Sequence, residues 1–127
     1  MNQFNLSDGT HMRYTERGEG PCLLLLHTIR NRIEYYEKVL PLLTKKFKVF
    51  CVELRGHGDS PINKKTNYNI EFITNSIVEF IDQKQLEDIT IAGESIGAVL
   101  ASSVAIKIPS KVEKIYCFNC VISSWIK

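Results

Sequence analysis

The sequence predicts an α/β fold, a mostly parallel sheet with helices on both of its faces. Two short runs, Cys22-Leu23-Leu24-Leu25-Leu26 and Val49-Phe50-Cys51-Val52, are apolar at every position, as strands buried on both faces are. Between and after them, apolar residues recur at three- and four-residue steps, the period of one helix face. After an opening hairpin, strand and helix alternate with short connections, the order that gives right-handed parallel crossovers.

Phe4 and Leu6, then Met12 and Tyr14, alternate with polar residues about Ser7-Asp8-Gly9, which reads as a hairpin within residues 1–17. Gly18-Glu19-Gly20-Pro21 breaks the chain before the first all-apolar strand. Ile33, Tyr36, Leu40, Leu43 and Phe47 mark a helix face that Pro41 must kink or restart. The strand 49–52 leads into the loop Arg55-Gly56-His57-Gly58-Asp59-Ser60-Pro61. Ile70, Ile73, Ile77, Phe80 and Ile81 give a second helix, Ile89-Thr90-Ile91-Ala92 a strand, and 96–108 a third helix stopped by Pro109. Residues 112–118 form a last strand.

The 127 residues suffice for one domain, and 44% hydrophobic content excludes a disordered chain. Sixteen basic and fourteen acidic side chains are interspersed, so no stripe is set out for nucleic acid. The longest apolar run, 21–26, has strand length and not membrane-spanning length. The first residues carry no signal-peptide pattern, which places the protein in the cytoplasm by default. Of the four cysteines, Cys22 and Cys51 sit in apolar strands as small hydrophobes. Cys117-x-x-Cys120 has no second ligand pair, so neither a metal site nor a disulfide framework nor any cofactor is expected.

Gly93-Glu94-Ser95-Ile96-Gly97 carries the chemistry. It follows a strand and opens a helix, the context in which G-x-S-x-G presents a serine on a tight, strained turn. Gly93, Gly97 and Ala98 would let the helix pass close to the strand. The N–H of Ile96, at the helix start, is free to meet an oxyanion. The bland alternative is an ordinary strand-to-helix turn with Ser95 as its cap. Glu94 reads as an elbow side chain and not as a base.

The chain, from about Gly9 to Asn119, resembles the α/β-hydrolase fold family. Three segments carry the resemblance in order: Gly20-Pro21-Cys22-Leu23-Leu24-Leu25-Leu26-His27, Arg55-Gly56-His57-Gly58-Asp59-Ser60, and Gly93 to Gly97. It implies Ser95 as nucleophile, with strand order 1-2-4-3-5-6. It also implies an oxyanion hole from the N–H groups of Ile96 and Ile29, with Thr28 adjacent where the family usually has glycine. By the same analogy His27 and His57 are structural loop residues.

The resemblance further implies a partial domain comprising the N-terminal six strands, with the core at 21–119 and an unassigned tail at 120–127. In this family the triad runs Ser, then Asp or Glu, then His. All three histidines here precede Ser95, and the only later carboxylate, Glu113, starts the last strand. The complete form is therefore expected to hydrolyse an ester or related acyl bond of a small-molecule substrate, with carbon–carbon bond hydrolysis open on the same template. The chain alone is expected to be inactive. Three readings of this incompleteness stand: a fragment of an enzyme, a non-catalytic interaction protein or decayed gene product, and half of a split enzyme. With apolar Ile115, Cys117 and Phe118, the last strand is also expected to promote self-association through an exposed edge.

Overall fold

In the computed structural model the described residues are 2–28, 32–57 and 65–118. The opening residues pair as the hairpin β1 (Asn2–Asn5) and β2 (His11–Arg17), with Phe4 opposite Met12. The Leu6 N–H donates to the Thr10 carbonyl at 2.8 Å and closes the turn. β3 (Cys22–Leu26) and β4 (Lys48–Val52) follow, separated by a single 3-10 turn (Ile33–Tyr36) and the short helix α1 (Leu40–Leu43). Then come α2 (Ile70–Gln83), β5 (Ile89–Glu94), α3 (Ile96–Lys107) and β6 (Val112–Phe118). The six strands form one sheet in the order β1-β2-β4-β3-β5-β6. β1, β2 and β4 pair antiparallel, whereas β4, β3, β5 and β6 run parallel.

The segment after β3 departs from the single kinked helix that its spacing suggests. Pro41 has no N–H to donate to the carbonyl four residues back, so no continuous ladder crosses from the 3-10 turn into α1. Instead Pro41 lies in the first turn of α1, where its missing donor costs nothing. The spacing still serves: Ile33, Leu40, Tyr36, Leu43 and Phe47 all pack on one side of the sheet.

β3 explains the two-sided burial. Leu24 and Leu26 face α2 and α3, while Leu23 and Leu25 face the 3-10 turn and α1. The larger core centres on Phe80 of α2, whose ring meets Phe4, Tyr14 and Phe50 edge-on at centroid distances of 5.2, 5.0 and 5.9 Å. Asn69 caps α2 by accepting the Phe72 N–H at 2.8 Å.

Two arginines fasten loops to this frame. Arg13 donates through Nε and Nη2 to the fully buried Glu53 at 2.8 and 2.6 Å, and Nη2 also reaches Glu34 at 3.2 Å. This ties β2, the end of β4 and the 3-10 turn together. Arg55 donates to Asp8 at 2.9 Å and to Thr10 at 2.8 Å, and its guanidinium lies 4.3 Å from the Phe72 ring centroid. The Thr10 hydroxyl and amide, with Arg55, pull the Asp8 carboxyl down to about 2.

Among the described residues no helix is long and apolar enough to cross a membrane. Cys22 and Cys51 are free, with burial pushing each thiol up to about 11. Cys117 is exposed on β6; Cys120 and the tail 120–127 lie outside the described residues.

Candidate active site

β5 ends at Glu94 and α3 begins at Ile96, so Ser95 alone makes the turn between them. Its backbone sits at φ 56°, ψ −113°, a region that side chains with a Cβ rarely adopt. Such a residue costs about 1–3 kcal/mol and persists only where its surroundings over-determine it. Here they do. The Ser95 N–H donates to the Phe118 carbonyl at 2.8 Å, and its own carbonyl accepts from the Ala98 N–H at 3.0 Å.

The glycines on either side make room for this turn. A Cβ on Gly93 would meet the Gly97 carbonyl oxygen at 2.2 Å, and one on Gly97 would meet the Leu26 carbonyl oxygen at 2.5 Å. The first turn of α3 thus rests directly on the ends of β5 and β3.

The Ser95 side chain makes no capping hydrogen bond to α3, although it holds the cap position. That removes the ordinary reason for a serine at a helix start. Ile96, as first residue of the helix, has no intrahelical acceptor for its N–H. A half-buried hydroxyl therefore stands at the positive end of a twelve-residue helix, beside an N–H without a helical partner. Those are the electrostatics that a developing oxyanion requires.

Opposite the elbow, at the end of β3, His27 is fully buried. The Leu54 N–H donates to its Nε2 at 2.9 Å, so Nε2 is the acceptor and the proton sits on Nδ1. Nδ1–H then donates to the Thr28 carbonyl at 2.8 Å. Burial lowers the His27 pKa and keeps the ring neutral. Both ring nitrogens are spent on backbone, which fits the architectural role the resemblance implied. Thr28 is half-buried at the start of this loop; Ile29 lies outside the described residues.

His57 stacks edge-on against His27 at 5.3 Å between centroids, with Nδ1 3.1 Å from the Arg55 carbonyl. His11 is on β2, with β4 and β3 between it and β5. At about 4.8 Å per strand spacing it lies roughly 14 Å across the sheet from the elbow strand.

Two tyrosines that the sequence reading did not assign to the site reach the ends of β3 and β5. The Tyr36 hydroxyl donates to the Leu26 carbonyl at 3.0 Å, and burial raises its phenol pKa. The Glu94 carboxylate, by its charge and a hydrogen bond, raises the pKa of Tyr35. Nothing in the local pattern marks these contacts, since Tyr36 reads equally well as a core residue. On the α2 side, Ile96 and Leu100 line a cavity of about 370 Å³ with Leu54, His57, Tyr68 and Ile73.

Residues 21–126 match the family described as alpha/beta hydrolase fold, and the chain belongs to that family. It is 25% identical over 116 residues to the (E)-2-((N-methylformamido)methylene)succinate hydrolase of Acinetobacter baylyi, covering 91% of this chain and 44% of that one. It is 26% identical over 98 residues to the pimeloyl-[acyl-carrier protein] methyl ester esterase of Aeromonas hydrophila, covering 77% and 37%. A solved carboxylesterase structure of Nitrososphaera gargenis superposes with a TM-score of 0.86 at 26% identity, covering 95% of this chain and 46% of that one. The chain thus spans between a third and a half of the length of relatives that it matches.

Proposed function

We propose that the complete protein hydrolyses an ester or related acyl bond with Ser95 as its nucleophile. The observation that carries this reading is the strained Ser95 backbone combined with a hydroxyl that does not cap its helix. A sequence pays such strain where a side chain must be presented. Relatives named as an ester esterase and as an amidomethylene-succinate hydrolase support acyl chemistry. A serine in place of an aspartate at the elbow argues against dehalogenase or epoxide-hydrolase chemistry.

In this mechanism the Ser95 hydroxyl attacks the acyl carbonyl as a histidine outside this chain takes its proton. The oxyanion is held by the N–H groups of Ile96 and Ile29, with Thr28 alongside. The protonated base then returns its proton to the leaving group, and water hydrolyses the acyl-serine. Of the described histidines, His27 has both nitrogens engaged and His11 is across the sheet, so neither serves as that base, and His57 turns its Nδ1 to the Arg55 carbonyl. The 127-residue chain is accordingly a hydrolase segment with little activity of its own.

Turnover of p-nitrophenyl esters tests this, comparing Ser95→Ala with the parent in both the 127-residue chain and the complete enzyme. Loss of the triad base costs on the order of a million-fold, so the short chain should show almost no Ser95-dependent rate. Undiminished turnover by Ser95→Ala in the complete enzyme would sink the assignment. Ser95-dependent turnover by the short chain would identify His57 as a working base.

A further inference from the structure

Pairing between β3 and β5 stops just short of the elbow, at Leu26 and Gly93. Past that pair each strand end is tied to its outer neighbour. Glu94 pairs with Phe118 of β6, and His27 accepts from the Leu54 N–H beyond β4. Ser95 and Thr28, one residue further along each segment, therefore stand on two stretches that no β3–β5 pairing joins. A site that holds one developing charge between two such stretches needs their separation fixed to within about 0.5 Å. On the α3 face the gap is closed by Gly97, seated against the Leu26 carbonyl.

On the opposite face the 3-10 turn spans it. At three residues per turn, consecutive side chains leave such a turn about 120° apart, so neighbours can reach different partners. The Tyr36 hydroxyl donates at 3.0 Å to the carbonyl of Leu26, the last paired residue of β3. The Tyr35 hydroxyl donates to the carboxylate of Glu94, the residue before Ser95. Both tyrosines and Glu94 line one concavity, and the two rings meet edge-on at 5.3 Å. The turn is itself anchored: Ile33 is buried, and Glu34 accepts from Arg13 at 3.2 Å.

We propose that Tyr35 and Tyr36 are positioning residues for acyl transfer, a pair that sets the distance between the strand end carrying Ser95 and the strand end leading into Thr28. They act through Glu94 and Leu26. The inference rests on Ser95 as the nucleophile.

Steady-state hydrolysis of p-nitrophenyl butyrate by the complete enzyme tests it. Phenylboronic acid, which forms a tetrahedral anion on a nucleophilic serine, probes the oxyanion geometry. Tyr36→Phe removes a single oxygen and should lower kcat about tenfold or more, since a misplacement of about 1 Å costs about a hundredfold. KM should stay close to that of the parent, and boronate inhibition should weaken in step with kcat. Tyr35 is 52% exposed, so water competes for its bond, and Tyr35→Phe should lose less, about threefold. Glu94→Ala should match Tyr35→Phe, the double variant should lose no more than either, and Glu94→Gln, which keeps an acceptor, should lose less. Tyr116→Phe removes an exposed phenol from β6 and should leave kcat unchanged. Urea melts of each variant separate positioning from stability. The inference is overturned if Tyr36→Phe melts earlier yet keeps kcat and boronate affinity, or if the losses at Tyr35 and Glu94 simply add. Turnover that survives Ser95→Ala would remove the nucleophile and this inference with it. Turnover that Ser95→Ala abolishes and Tyr36→Phe spares would overturn the positioning role alone.

Discussion

Gly97 and the Leu26 carbonyl touch so closely that a single methyl group would not fit between them: a Cβ on Gly97 would lie 2.5 Å from that oxygen. The obstruction is backbone, which cannot swing aside as a side-chain tip can. The same oxygen accepts from the Tyr36 hydroxyl. One contact therefore joins α3, the end of β3 and the 3-10 turn.

Gly97→Ala is expected to lose about 1–3 kcal/mol of stability, the ordinary cost of overpacking. Gly93→Ala, with the Gly97 carbonyl at 2.2 Å, should lose at least as much. Urea denaturation measures both. An alanine tolerated at either position without loss would mean that the elbow is looser than described.

Strain at Ser95 predicts an unusual result, in which deleting a side chain stabilises the protein. Ser95→Gly should raise the urea midpoint, because glycine adopts positive φ freely. Relief of about 1–3 kcal/mol is partly offset by about 0.5–1 kcal/mol of added unfolded-chain entropy. The net gain is about 1 kcal/mol. Ser95→Ala keeps the Cβ and should gain nothing, and equal effects of the two substitutions would contradict the strain.

His27 predicts a pH dependence. Burial holds its folded pKa below the ordinary value of about 6.5. Between those two values the unfolded chain binds a proton that the native state does not, so stability falls as pH drops. Above about pH 6.5 its contribution is complete. Denaturation midpoints measured from about pH 7.5 to about pH 5 should decline in the parent and decline less in His27→Gln. Matching slopes would place the acid sensitivity elsewhere.

Among the described residues β6 pairs only with β5, leaving its outer backbone edge open. Lys114 and Glu113 are its only charged side chains. We expect the isolated chain to self-associate through this edge, which would protect β6 amides from exchange. Size-exclusion chromatography and circular dichroism together decide it, and a monodisperse monomer with a cooperative melt would refute it.

Much of the fold was legible because burial leaves periodic traces. The all-apolar run 22–26 does lie mid-sheet between β4 and β5, and the spacing of Ile70, Ile73, Ile77, Phe80 and Ile81 does fall on α2. The stretch 33–47 was less so: its spacing reported which residues face the sheet, whereas Pro41 decided whether the helix between them could be continuous. Of the residues singled out at the elbow, Ser95, Ile96, Gly93, Gly97 and Thr28 lie where strand and helix ends meet, and Ile29 lies outside the described residues.

The sequence by itself determined the set of strands, their succession with the helices, and the one serine placed at a strand-to-helix junction. Those features are written locally, in runs of a few residues whose hydrophobic period and small side chains act on their immediate neighbours. Only the tertiary structure decided which nitrogen of His27 carries the proton, since the deciding donor is the Leu54 N–H, 27 positions away. It also decided that Arg13 neutralises Glu53 across 40 residues, and that, among the described residues, one face of β5 and β6 is left apolar and open. Hydrogen bonds, ion pairs and unfilled surface depend on where distant segments meet, and no local pattern records that meeting.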